Sequence, residues 1–145
     1  MAELVETYRG ACYPWHCDHM GHMNVMWYVG KFDEATWALF ATVGLTGAAL
    51  RGAGTGMAAV SQRIAYRREV HPGDLLAIRS GFLEARAKSL RFVHEMRDVA
   101  TDAVAALCEL TALHIDTARR KAVPLPDDVA ARASAAAVAY DTSSL

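Results

Sequence analysis

The spacing of apolar residues changes once along this chain, and that change limits the fold more than any other feature. From Val25 to Val43, Val29, Phe32, Thr36, Leu39, Phe40 and Val43 recur at helical spacing. Trp27, Trp37 and Met26 fall on the other faces, so the helix reads as apolar nearly all round and therefore buried. Beyond it the period drops to two. Val60, Gln62, Ile64 and Tyr66 alternate with Ser61, Arg63, Ala65 and Arg67, the pattern of a half-buried strand. Leu75–Leu83, Leu90–Arg97 and Ala103–Ile115 read as further strands. One buried helix followed by strands in a row predicts an α+β fold, with a single helix against an antiparallel sheet.

Local signals punctuate this plan. A first strand lies within 3–12 and Tyr13-Pro14 limits it. Residues 16–24 read as a loop, with Asn24 as the N-cap of the helix and Gly44 as its stop. The Gly-, Ala- and Thr-rich stretch from Gly44 to Gly56 reads as a flexible loop with a helical turn around Ala48–Leu50. His71-Pro72-Gly73-Asp74 is a turn, in which Pro fixes one dihedral and Gly supplies positive φ. Ala85–Lys88 and Asp98–Asp102 join strands. Pro124 and Pro126 end the sheet, Asp127 is expected to cap an alanine-rich helix running to about Ala139, and 141–145 are expected to fray.

Composition narrows the function. The 145 residues suit one domain spanning 1–145. Fifteen basic against sixteen acidic residues leave no electrostatic footprint for nucleic acid or an anionic membrane. No apolar run approaches the ~18 residues that span a bilayer. The three cysteines, Cys12, Cys17 and Cys108, form no disulfide framework, and the N-terminus carries acids where a signal peptide carries Lys or Arg. A cytoplasmic location is expected. No Gly-rich phosphate fingerprint follows a strand, which disfavours a nucleotide-binding parallel sheet.

The richest chemistry lies in His16-Cys17-Asp18-His19-Met20-Gly21-His22-Met23-Asn24. Its His, Cys and Asp are all zinc-ligand types, but their spacing matches no standard zinc signature, and no metal is expected. Asp18 taken alone is a common turn former.

The segment Asp18–Asn24, followed by Tyr28 and then Phe32-Asp33-Glu34-Ala35, resembles the signature of the 4-hydroxybenzoyl-CoA thioesterase-like branch of the hotdog superfamily. That signature runs D-x-x-G-H-x-N-x-x-x-Y, with an acidic pair further along the helix. Pro72-Gly73-Asp74, Lys88-Ser89-Leu90 and Pro124-Leu125-Pro126 also fall where that family has them. The resemblance implies a curved antiparallel sheet wrapped around a central helix. It also implies a homodimer with sheets paired edge to edge, often a homotetramer, with sites at the dimer interface. The implied substrate is an acyl-CoA thioester, and no cofactor is implied beyond the CoA of the substrate. The chain departs from the pattern at Val25-Met26, where many relatives carry another residue pair, and at Thr36, where many carry Arg.

Thioester hydrolysis needs a base or nucleophile, and a donor for the carbonyl oxygen as it gains charge. Asp18 can activate water or attack the thioester itself, and the sequence leaves both routes open. Beyond an Asn24 cap the first N–H groups of the helix lack partners and carry the positive end of its dipole. The resemblance assigns the donor role to the N–H of Val25, seven residues after Asp18. His22 and Asn24 are candidates to orient Asp18, water or thioester, and Gly21 to let the loop turn. Tyr28, Trp27 and Trp37 read as helix packing, with one available to floor an acyl pocket. Arg63, Arg67, Arg86, Lys88 and Arg91 are candidates for the CoA phosphates, and the resemblance places Lys88 and Ser89 beside a CoA channel. Glu34 is an alternative acid on the helix. Two other functions share the expected fold: a non-catalytic acyl-CoA or acyl-carrier binding protein, and an enoyl-thioester hydratase or dehydratase.

Overall fold

Capping chemistry sets both ends of the central helix in the computed structural model, which describes residues 2–145. Helix α1 spans Val25–Ala41. Asn24 before it is extended, and its Oδ1 accepts the Met26 N–H at 2.9 Å, as the sequence predicts. The helix ends three residues before Gly44, which turns the chain away at a φ of +91°.

The stretch expected as a loop contains a second helix, α2, Gly47–Ala53. Thr46 caps it, accepting the Ala49 N–H at 3.1 Å, and Gly54 in the left-handed region closes it. The Gly and Ala that made the stretch look unstructured are tolerated because its two ends are capped.

Six strands form one antiparallel sheet, curled around α1. They are β1 (Val5–Ala11), β2 (Thr55–Tyr66), β3 (Leu75–Ala85), β4 (Ser89–Asp98), β5 (Val104–Asp116) and β6 (Lys121–Ala122). The order is β1-β3-β4-β5-β2, with β6 paired to β5. The α+β expectation holds, but β2 starts five residues before the alternating pattern does. Its first residues pair with Asp116–Ala112 of β5. A bulge between Ala59 and Ser61 removes Val60 from the alternation that predicted it inside, leaving it 55% exposed. The bulge switches parity. Met57 and Ala59 face α1 before it, and Gln62, Ile64 and Tyr66 after it.

The core lies between α1 and the sheet, built on Phe32, Phe40, Phe82, Phe92, Leu90 and Met96. Phe40 meets Phe92 edge to face at 5.1 Å. His94 of β4 is fully buried in this core. Its Nε2 pairs with Thr36 Oγ1 at 2.8 Å, and Thr36 donates to the Phe32 carbonyl, so Nε2 carries the hydrogen. Its Nδ1 then accepts from Ser80, which is bonded in turn to Thr7. Burial drives the His94 pKa down to about 3, so the ring is neutral. Thr36, where the motif departs from its family, is therefore half of a buried polar pair.

Three expectations need correction. Helix α1 is not buried all round: its core face is sealed, while Met26 is 63% and Trp37 41% exposed, because nothing among the described residues covers them fully. Helix α3 is shorter than expected, Asp127–Ala135. Pro126 takes its N-cap position, so Asp127 serves in the first turn through its charge and caps nothing. The chain after α3 is anchored rather than frayed. Val138 bonds the Phe82 carbonyl and fills the space above Gly81, Tyr140 donates to Glu95 at 2.7 Å, and Arg67 donates to the Ser144 carbonyl at 2.8 Å.

Candidate active site

Local geometry brings Asp18 to the start of α1. Cys17 and Met23 form an isolated antiparallel bridge, and the chain between them folds back through Gly21 at a φ of +85°. A bond from the Met23 N–H to the Val70 carbonyl, and one from the Asn24 N–H to the His16 carbonyl, pin the loop's far end. The carboxylate of Asp18 has one donor on each oxygen. The Met20 N–H reaches Oδ1 and the Asn24 Nδ2 reaches Oδ2, both at 2.8 Å. These two bonds, the Met20 one first, hold its pKa below the ordinary carboxylate value. Asp18 is therefore an anion with lone pairs to spare.

Asn24 is shared between this carboxylate and the helix. Its amide NH₂ binds Asp18 and its Oδ1 binds the Met26 N–H. The Trp27 N–H reaches the Asn24 carbonyl at 2.9 Å. Among the described residues the Val25 N–H has no acceptor, and Val25 is exposed. The predicted donor is thus unpartnered, and it belongs to the residue directly after Asn24, whose side chain holds the predicted base.

Other candidates fall at different distances from this centre. His22 is half-buried, with its Nε2 3.8 Å from Glu69, and it lines a shallow cleft with Val25, Tyr28 and Tyr66. Tyr28 is buried and donates to the Arg68 carbonyl at 2.9 Å, which supports the packing reading. Glu34 is exposed on the helix and makes no hydrogen bond to Asp18. Arg63 is paired with Glu109, Arg91 with Glu109 and Glu84, and Arg86 with Glu84, in a ladder along the sheet. Lys88 is exposed and Ser89 buried at the β3–β4 turn. That turn lies a full strand length, roughly 30 Å, from the end of β3 that meets the Asp18 loop. Within one chain the structure does not bring Lys88 and Ser89 to Asp18.

The cysteines and histidines do not converge. Among the described residues no three His, Cys, Asp or Glu side chains are grouped to hold a metal. His16 is buried, with Nδ1 accepting the Tyr13 N–H at 3.1 Å and its ring 4.3 Å from Trp27. Burial, with Lys31 nearby, lowers its pKa. The Cys12 and Cys17 sulfurs stand 3.7 Å apart, and burial pushes the Cys12 pKa up to about 12, far from a nucleophile's range.

Residues 12–133 match the thioesterase-like superfamily. The chain belongs to this superfamily. The thioesterase-like chain is 26% identical over 140 residues to a betainyl-CoA thioesterase of Pseudomonas aeruginosa, covering 97% of this chain and 88% of that one. It is 30% identical over 129 residues to the L-carnitine dehydrogenase/betainyl-CoA thioesterase of Rhizobium meliloti, covering 89% of this chain but 25% of that larger protein. In structure it is similar to the Staphylococcus aureus protein SAV2348, solved in complex with CoA, with a TM-score of 0.88 at 14% identity over 98% of this chain and 92% of the other. The 1,4-dihydroxy-2-naphthoyl-CoA thioesterase of Synechocystis gives a TM-score of 0.78 at 19% identity, over 88% and 93%. These likenesses establish the hotdog fold.

Sequence reading missed two features of the thioesterase-like chain. Lys31 is buried at 3% exposure, its Nζ donating to the Tyr8 hydroxyl at 2.7 Å and lying 5.0 Å from that ring. Its place on the helix, one turn after Trp27 and between apolar neighbours, was the available signal. The second is a cavity of about 450 Å³ between the uncovered face of α1 and β2. It begins at Met26, next to the free Val25 N–H, and runs to Trp37 and Phe40. The exposed apolar residues at 26, 29 and 37 announced it, once read as facing a ligand or partner rather than the core.

Proposed function

We propose that this protein hydrolyses an acyl-CoA thioester to a free acid and CoA. One observation carries the reading: an unpartnered helix N-terminal N–H, Val25, beside a carboxylate held ionised, Asp18, with an apolar cavity starting at the next residue. In this reading the acyl chain enters the cavity and its carbonyl oxygen accepts the Val25 N–H. The helix end stabilises the charge that develops on that oxygen. Asp18 takes a proton from the attacking water, or attacks the carbonyl carbon and expels CoA thiolate, leaving a mixed anhydride with Asp18 that water then cleaves. Asn24 holds Asp18 in place and His22 borders the approach. Membership of the 4-hydroxybenzoyl-CoA-like branch rests on the Asp18–Tyr28 motif.

The site reads as one built from two chains. Strand β2, twelve residues long, has one edge unpaired among the described residues. Antiparallel pairing of two such edges would carry the Lys88–Ser89 turn of one copy toward the Asp18 end of the other. A homodimer, or a homotetramer of two, follows. No helix is long and apolar enough to cross a membrane among the described residues. We place the protein in the cytoplasm on its three free cysteines.

The test is CoA release from a panel of acyl-CoAs, with betainyl-CoA included because two relatives are named for it, beside aromatic, short and long acyl groups. Asp18→Asn is expected to lower kcat about 10²–10⁴-fold. Full activity in that variant would remove Asp18 from the reaction. Single turnover in ¹⁸O-water tests the covalent route, since label on Asp18 arises only where Asp18 has attacked the thioester and water cleaves the anhydride at the Asp18 carbonyl. Light scattering that finds only monomer would overturn the two-chain site. Hydration of crotonyl-CoA without CoA release would favour the hydratase alternative, and binding without turnover the non-catalytic one.

A further inference from the structure

The cavity between α1 and β2 has mostly apolar and aromatic walls, Val29, Trp37, Phe40, Met57 and Leu110 among them. Three polar side chains reach it: Asp33, Thr36 and Gln62. Thr36 is occupied by His94 and the Phe32 carbonyl, and Gln62 is neutral. Asp33 carries the cavity's one charge. Among the described residues no Lys, Arg or His forms a salt bridge with it. Trp37, four residues on, stands on the same helical face and lines the same cavity.

Asp33 is exposed at this cavity, and a ligand that fills the space covers its carboxylate and takes solvent from it. A neutral chain leaves the carboxylate facing apolar atoms, which is unfavourable. A cation there replaces the lost solvation, and the Trp37 ring adds its own attraction for positive charge. The position along the helix sets the length. Eight residues separate Val25 from Asp33, about 12 Å of helix axis, and helical side chains lean back toward the N-terminus.

We propose that Asp33, with Trp37 beside it, selects acyl groups that carry an ammonium or trimethylammonium several bonds beyond the thioester carbonyl. The proposal rests on the thioesterase reading, and extends it to the far end of the substrate.

The experiment compares 6-aminohexanoyl-CoA with heptanoyl-CoA, which match in length and differ in charge. Wild type is expected to favour the cationic substrate in kcat/KM by about tenfold, a preference that shrinks with added salt. Asp33→Asn should bring the ratio close to one, and Asp33→Lys should move the preference to adipoyl-CoA. Non-hydrolysable thioethers of CoA bearing 6-aminohexyl or heptyl chains, followed by calorimetry, report the same preference without turnover. Equal handling of the two chain types by wild type, or a ratio that survives Asp33→Asn, overturns the role of Asp33. If the thioethers show the preference while no thioester is cleaved, the thioesterase reading fails and the selection by Asp33 stands.

Discussion

The two long faces of α1 are both apolar, yet they do different work. The face bearing Phe32, Ala35, Leu39 and Phe40 is sealed against the sheet, and its polar side chains are partnered: Thr36 is bonded to His94, Lys31 to Tyr8 and Tyr28 to the Arg68 carbonyl. The face bearing Met26, Val29, Asp33 and Trp37 is open to a cavity, and its carboxylate has no ion-pair partner among the described residues. Hydrophobicity alone does not separate the two. What separates them is whether this chain supplies the atoms that cover them.

Removing Phe32 is expected to break the inner face most severely. Phe32→Ala should cost about 3–5 kcal/mol in urea unfolding, since it empties a fully buried site. A loss under 1 kcal/mol would mean the inner face is no better packed than the outer. Thr36→Val keeps the shape and leaves the His94 Nε2–H without its acceptor. The expected cost is about 1–3 kcal/mol, checked by thermal unfolding against wild type.

The same histidine gives the comparison a pH axis. Its folded pKa, about 3, lies below its unfolded value, so below pH ~6.5 the unfolded chain binds a proton that the folded chain refuses. The stabilisation from a neutral His94 is complete above that pH and declines as pH falls toward 3. The slope is up to about 1.4 kcal/mol per unit. A His94→Gln variant with the same slope between pH 7 and 5 as wild type would refute this account. Asp18 has the opposite consequence for activity. Its pKa is held low, so kcat/KM should show no acid limb from Asp18 near neutrality and should fall only below the usual carboxylate range. The smallest effect belongs to the outer face: Trp37→Ala should change stability by less than about 1 kcal/mol while altering acyl-chain selectivity. A Phe32-sized loss would show Trp37 to be core.

Local rules carried part of this structure and failed at recognisable places. Asn24, the start of α1, the 71–74 turn and the existence of the main strands depend on neighbours in sequence, and were legible. The first five residues of β2 depend on Asp116–Ala112, more than fifty residues away, so a Gly- and Ala-rich stretch gave no sign of them. The bulge at Val60 reversed a parity that two-residue periodicity could not have reversed by itself. Asp127 looked like a cap, but Pro126 already held that position. In the site, Asp18, Asn24 and Val25 were legible because one short segment holds them. Lys88 and Ser89 were not placed by sequence, because whether they approach Asp18 is a question of strand length and of a second copy.

Asn24 also narrows the alphabet open to evolution at its position. A helix N-terminus accepts Ser, Thr, Asp or Asn, since each offers an oxygen to the first N–H groups. Holding Asp18 demands a donor from the same side chain, on the opposite side of its tip. Ser and Thr are too short to serve both ends, and Asp has no hydrogen to give and would set a second negative charge beside the first. Four spellings that are synonyms for folding reduce to one, so a substitution silent for the helix can still erase the site.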